Sequence, residues 1–165
     1  MITSEIYSEE EFGLFNSAYT GFLLYSFLHE FEKQESKGVH CCLPFIVIPI
    51  LLNPSISSTL PRTYKTPISS WITQNEGILS DFPDIAQAYL PIVNSTLSFL
   101  FEHGVFEIEE SGYLLIGQNR LPKEPKLFVD NLRMKQALKY SKFLGRWFSH
   151  SPSIETIFTQ FGIRP

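Results

Sequence analysis

The sequence predicts a mainly α-helical α+β fold with one small β-hairpin. Three observations carry that expectation. Segments near 17–34, 84–103 and 127–149 repeat apolar residues at helical spacing. Two short apolar runs flank Glu109-Glu110-Ser111-Gly112, the pattern of a hairpin. The chain has 165 residues, a length that suits a single domain over 1–165 and that buries roughly 70% of the unfolded surface.

The elements follow in chain order. Asn16 is an N-cap for the first helix, SAYTGFLLYSFLHEFEKQ. Ala18, Phe22, Tyr25 and Leu28 trace one face, and Leu24, Phe27, Leu28 and Phe31 an overlapping one. A helix apolar over so much of its girth packs on two sides. The run 43–52 reads as a short buried helix that begins at Pro44 and bends at Pro49. A loop, NPSISSTLPRTYK, leads to Thr66-Pro67 as N-cap and N1 of a helix through Trp71 to about Gln74. Residues 84–103 form a second long helix that Pro91 bends or splits, ended by Gly104. The hairpin pairs 105–108 with 113–116. A third helix spans about 127–149, with Leu127, Asn131, Met134, Leu138, Phe143 and Trp147 on its apolar side. A last one, 153–161, stops at Gly162. Helix, hairpin, helix in this order is also the pattern of a winged-helix module.

Charge divides the chain. Residues 1–60 and 61–110 each carry a net −5, and 111–165 a net +6. The whole is −4, with 44% hydrophobic and 15% aromatic residues. That is too apolar and too weakly charged for a disordered chain. It suits a protein that covers apolar surface with a partner. The acidic start, MITSEIYSEEEF, has no basic segment and no apolar core of a signal peptide. The most apolar run, 41–52, is too short to span a bilayer and holds two prolines. Cys41 and Cys42 are adjacent, a poor geometry for a disulfide. A cytoplasmic protein with reduced thiols is the expectation.

No enzyme constellation stands out. The nine glycines form neither G-x-x-x-x-G-K-[ST] nor G-x-G-x-x-G. His29, His40, His103 and His150 make no i, i+3 or i, i+4 pair, so no metal spacing is evident. His40-Cys41-Cys42 is the one local cluster. Consecutive side chains diverge on a helix or strand, which argues against a shared metal. Glu9-Glu10-Glu11, Glu107/Glu109 and Glu109-Glu110 read as solvated carboxylates, and Ser111 has no nucleophile-elbow context. No catalytic residue, metal or cofactor is expected in this chain.

The basic residues form the main candidate site. Lys135, Lys139, Lys142 and Arg146 stand at i, i+4, i+7 and i+11, one stripe on the third helix, with Arg120, Lys123 and Lys126 ahead of it. Such a stripe can track phosphates, dock an acidic partner, or serve only as the solvated side of an amphipathic helix.

Several motifs in order carry a family resemblance. They are F-N-x-A-Y-x-G-F-L-L (15–24), P-I-L-L (49–52), L-P-R-T (60–63) before Trp71-Ile72, A-x-x-x-x-P (86–91), L-x-F-L-F-x-H-G (97–104) with its hairpin, L-G-R-W-F (144–148) and I-F-T-Q-F-G-I-R-P (157–165). Together they resemble the middle component of bacterial three-component ABC systems, the group that includes the small third subunit of Lamassu anti-phage defence. Residues 105–126 carry little of the likeness. The resemblance implies a non-catalytic subunit between an SMC/Rad50-like ABC ATPase and a nuclease-type effector. ATP and Mg would be bound by the ATPase, and DNA would be met through the complex. For such an assembly Trp71, Arg146, Trp147 and Arg164 are candidate partner anchors, since Trp and Arg dominate interface hot spots. Both tryptophans could equally be core, and Arg164-Pro165 could close the domain's own core.

Overall fold

A computed structural model describes residues 16–164. Glu9-Glu10-Glu11, Phe15 and Pro165 lie outside the described residues. Ten helices and a small antiparallel sheet make an α+β, mainly helical fold among them.

The helices are α1 (Ser17–Gln34), α2 (Pro44–Leu52), α3 (Pro54–Ser57), α4 (Ile68–Gln74), α5 (Glu76–Leu79), α6 (Phe82–Ala88), α7 (Leu90–Glu102), α8 (Lys126–Asp130), α9 (Leu132–Ser149) and α10 (Ile154–Gln160). The strands are β1 (Val39–His40), β2 (Phe106–Ile108) and β3 (Tyr113–Ile116).

The centre of the fold is α1. Asn16 Oδ1 accepts the Ala18 N–H at 2.8 Å and starts the helix. Residues 20–28 are then buried without interruption, as expected for a helix enclosed on two sides; Ala18 alone of the expected faces is exposed. One side packs along α9 and another on α7. The α1–α9 contact is close because Gly145 has no side chain. A Cβ there would sit 2.3 Å from the Phe27 carbonyl oxygen. Ser141 Oγ donates to the Leu23 carbonyl across the same seam.

Helix α2 starts at Pro44 and keeps Pro49 inside, with Ile46, Val47, Ile48 and Ile50 fully buried. The long segment 82–102 is split into α6 and α7 at Tyr89, just ahead of Pro91. A proline tolerated in a first turn would break an interior one. Gly104, with φ +65°, turns the chain out of α7 into β2.

Four expectations need correction. The sheet has three strands in the order β1-β3-β2, because Val39 and His40 pair with Leu114 and Tyr113. The 53–65 stretch is not all loop: Asn53 caps α3, accepting the Ser55 N–H at 3.1 Å. Pro67, not Thr66, is the N-cap of α4. The helix expected over 127–149 is two helices. Asn131 is extended and caps α9 by accepting the Met134 N–H at 3.1 Å. It is therefore an exposed cap and not an apolar-face residue.

Candidate interaction surface

The break at Asn131 decides what the basic region looks like. Phe128 anchors α8 by packing on Tyr19 and Phe22, with ring centroids at 5.6 and 4.5 Å. Its neighbours then point outward: Leu127 is 65% exposed, Val129 49% and Leu132 84%. A continuous helix would have turned Leu127 into the core. Instead, three apolar side chains within residues 127–132 face solvent, among Lys126, Arg133 and Lys135, which are exposed as well. Sequence periodicity misses this corner, although the capping preference of Asn131 marks where the helix restarts.

Along α9 the stripe keeps the outer side. Lys135, Lys139 and Arg146 are exposed and Lys142 half-buried, while Leu138, Ser141, Leu144 and Gly145 are buried against α1. Helix α9 carries five basic residues and no acidic one. Lys142 reaches Glu124 at 3.6 Å, an exposed pair of little energetic weight. Lys123 and Lys142 share a small hollow with His29 and Lys33. There burial holds the His29 pKa below its ordinary value; Lys33, Lys123 and Arg120 push the same way against Glu30. The structure thus gathers Arg120, Lys123 and Lys142 near Lys33 of α1 and a His29 whose charged form is disfavoured there.

Arg146 belongs to a second place. Its guanidinium lies 4.5 Å over the Tyr64 ring, and Tyr64 stacks on Phe143 at 4.9 Å. Tyr64 and Arg146 border a groove of about 690 Å³ between segment 63–69 and the end of α9. Lys65, Arg146 and His150 line it, and among the described residues no Asp or Glu does. Gln160 also lines it, and its Oε1 is buried without a hydrogen-bond partner among the described residues.

Trp147 also lines this groove, but both tryptophans lie deep. Trp71 is 1% exposed and Trp147 2%. Both indoles pack in the core, one of the two places the sequence leaves open for them. Arg146 and Arg164 remain exposed. Arg164 lies at a different hollow, with Cys42, Pro83, Gln87 and Phe158.

The His40-Cys41-Cys42 cluster also departs from expectation. One donor atom from each residue lies within 4.8 Å of the others. Burial, and then the charge and hydrogen bond of Cys41, push the Cys42 thiol above its ordinary value, which disfavours a thiolate nucleophile. Among the described residues no helix is long and apolar enough to cross a membrane.

With this geometry established, the sequence model of the family described as ABC-three component (ABC-3C) system Middle Component 3 matches residues 4–165. The chain belongs to that family. Nothing matches among the curated proteins or the solved structures. As a middle component 3, the chain is one part of a multi-component ABC system, and its partners are other components of that system.

Proposed function

We propose that this middle component is a non-catalytic assembly and regulatory subunit. It bridges an SMC/Rad50-like ABC ATPase and a nuclease-type effector in a cytoplasmic anti-phage defence complex of the Lamassu type. The observation that carries this reading is the family match over nearly the whole chain. The surface supports it: exposed Leu127, Val129 and Leu132 sit beside Lys126, Arg133 and Lys135. Asp130 is exposed in the same corner, so the apolar side chains are edged by mixed but mainly positive charge, which fits an interface with a largely acidic complementary rim. ATP and Mg would act on the ATPase. This chain would act by contacting two ATPase states with different strength.

The other reading is a free-standing winged-helix DNA-binding regulator. The order β1-β3-β2 after a helix is compatible with it. The charges are not. Helix α7, directly before the hairpin, has no Lys or Arg, and the hairpin carries Glu107, Glu109 and Glu110. Phosphates need the opposite sign there. Any direct DNA contact would have to use the α9 stripe.

Co-purification tests the assembly reading. A tagged chain expressed with the products of its neighbouring genes should retain an ABC ATPase. Leu127→Asp/Leu132→Asp should lose that component while the chain stays folded. Recovery of the wild-type chain alone would overturn the reading. Lys135→Glu/Lys139→Glu separates the role of the stripe. Lost assembly means an acidic partner; lost DNA stimulation with intact assembly means nucleic acid.

A further inference from the structure

We propose that His40, Cys41 and Cys42 form a binding site for a thiophilic divalent cation, Zn²⁺, with one coordination position left open. The backbone defeats the divergence expected of three consecutive side chains. His40 ends β1, and the chain turns at once. Cys41 N donates to Gly112 O at 2.9 Å, and Leu43 N donates to His40 O at 2.9 Å. This turn between β1 and α2 brings one donor atom of each residue within 4.8 Å of the other two.

The donor set matches the ion. Two sulfurs and an imidazole nitrogen suit Zn²⁺, with bonds of about 2.3 Å to sulfur and about 2.0 Å to nitrogen. Donors around such an ion stand on the order of 3.3–3.8 Å apart. Closing from 4.8 Å needs a shift on the order of 1 Å, within the reach of partly exposed side chains. All three residues are partly exposed, so an ion can approach from solvent. Both cysteines are free thiols.

The surroundings orient the imidazole. Its ring meets Tyr113 edge to face at 5.9 Å. Nδ1 accepts the Cys42 N–H at 3.2 Å, which turns that nitrogen toward the 41–42 turn and leaves the proton on Nε2. Coordination through Nδ1 replaces that hydrogen bond. Capture breaks two S–H bonds and forms two S–metal bonds and one N–metal bond. Two protons go to solvent, a water fills the fourth position, and no electron is transferred.

The experiment uses the full chain, reduced and stripped of metal. Zn²⁺ titrated against a chromogenic chelator should bind one per chain. Co²⁺ in its place should give sulfur-to-cobalt charge-transfer absorption and the strong visible bands of a tetrahedral ion. Cys41→Ser, Cys42→Ser and His40→Ala should each weaken binding by at least about tenfold. Their circular dichroism and melting curves serve as folding controls. Cys41→Ser/Cys42→Ser should abolish the cobalt–sulfur bands. Zn²⁺ affinity unchanged in that double variant, or no cobalt–sulfur absorption in the wild-type chain, overturns the proposal.

Discussion

The indoles of Trp71 and Trp147 meet edge to face, with ring centroids 5.4 Å apart and planes at 82°. Each also donates to a backbone carbonyl of the connecting segment: Trp71 Nε1 to Thr59 O at 2.9 Å and Trp147 Nε1 to Thr66 O at 2.7 Å. The pair ties α4, α9 and the 59–66 connection into one unit, and Trp147 also lines the groove bordered by Tyr64 and Arg146.

Replacing Trp147 by Phe should therefore act on the loop as well as on the core. It removes a buried donor and leaves Thr66 O unpaired, at a cost of about 1–3 kcal/mol. Denaturant unfolding should show that loss, and limited proteolysis should cut faster near Arg62 and Lys65. Unchanged stability would mean that the Thr66 carbonyl finds another donor.

Gly145 and Gly77 make a matched pair. A methyl at Gly145 drives into the Phe27 carbonyl and the Glu30 side chain, whereas one at Gly77 meets nothing within 4 Å among the described residues. Gly145→Ala should lower stability by about 1–3 kcal/mol. Gly77→Ala should be neutral or raise it by up to about 1 kcal/mol, because alanine is the better helix residue. Thermal melts of the two variants side by side decide it.

Asn131 caps α9, and its loss should show in the helix and in the corner before it. Asn131→Ala should cost about 1 kcal/mol, while Asn131→Asp retains most of the cap. Amide exchange should accelerate at Met134 and in the first turn of α9. A seamless α8–α9 helix in the alanine variant would show instead that the cap is what keeps the two apart.

Tyr19 gives a pH prediction. Burial pushes its hydroxyl up to about 12 from the ordinary 10. The folded chain holds that proton more tightly, so the contribution is complete below pH 10 and is lost as pH rises toward 12. Stability to denaturant should fall over that interval, and Tyr19→Phe should flatten the fall. Equal slopes for the two proteins would show that the hydroxyl titrates normally.

Much of this fold is written in local chemistry. Asn16, Pro44, Pro91 and Gly104 act within a turn of their own positions, so the starts of α1, α2 and α7 and the exit into the hairpin follow from residue type and spacing. The basic stripe is legible for the same reason, since spacing alone places Lys135, Lys139, Lys142 and Arg146 on one side of α9. The Asn131 cap is also local, but helical periodicity runs through it and masks the break. The apolar corner was hidden as a result.

The remaining features depend on residues far apart in the chain. Two residues, Val39 and His40, carry no strand signal, and they become β1 only because β3 offers an edge to pair with. Neither Trp71 nor Trp147 announces whether it faces a partner or the core; their burial follows from α4 and α9 folding onto each other. The convergence of His40, Cys41 and Cys42 likewise appears only once Gly112 O holds the turn. Composition and spacing determined which segments are helical and where positive charge collects. Tertiary packing decided which side chains that left for contact, because burial belongs to pairs of surfaces and not to single residues.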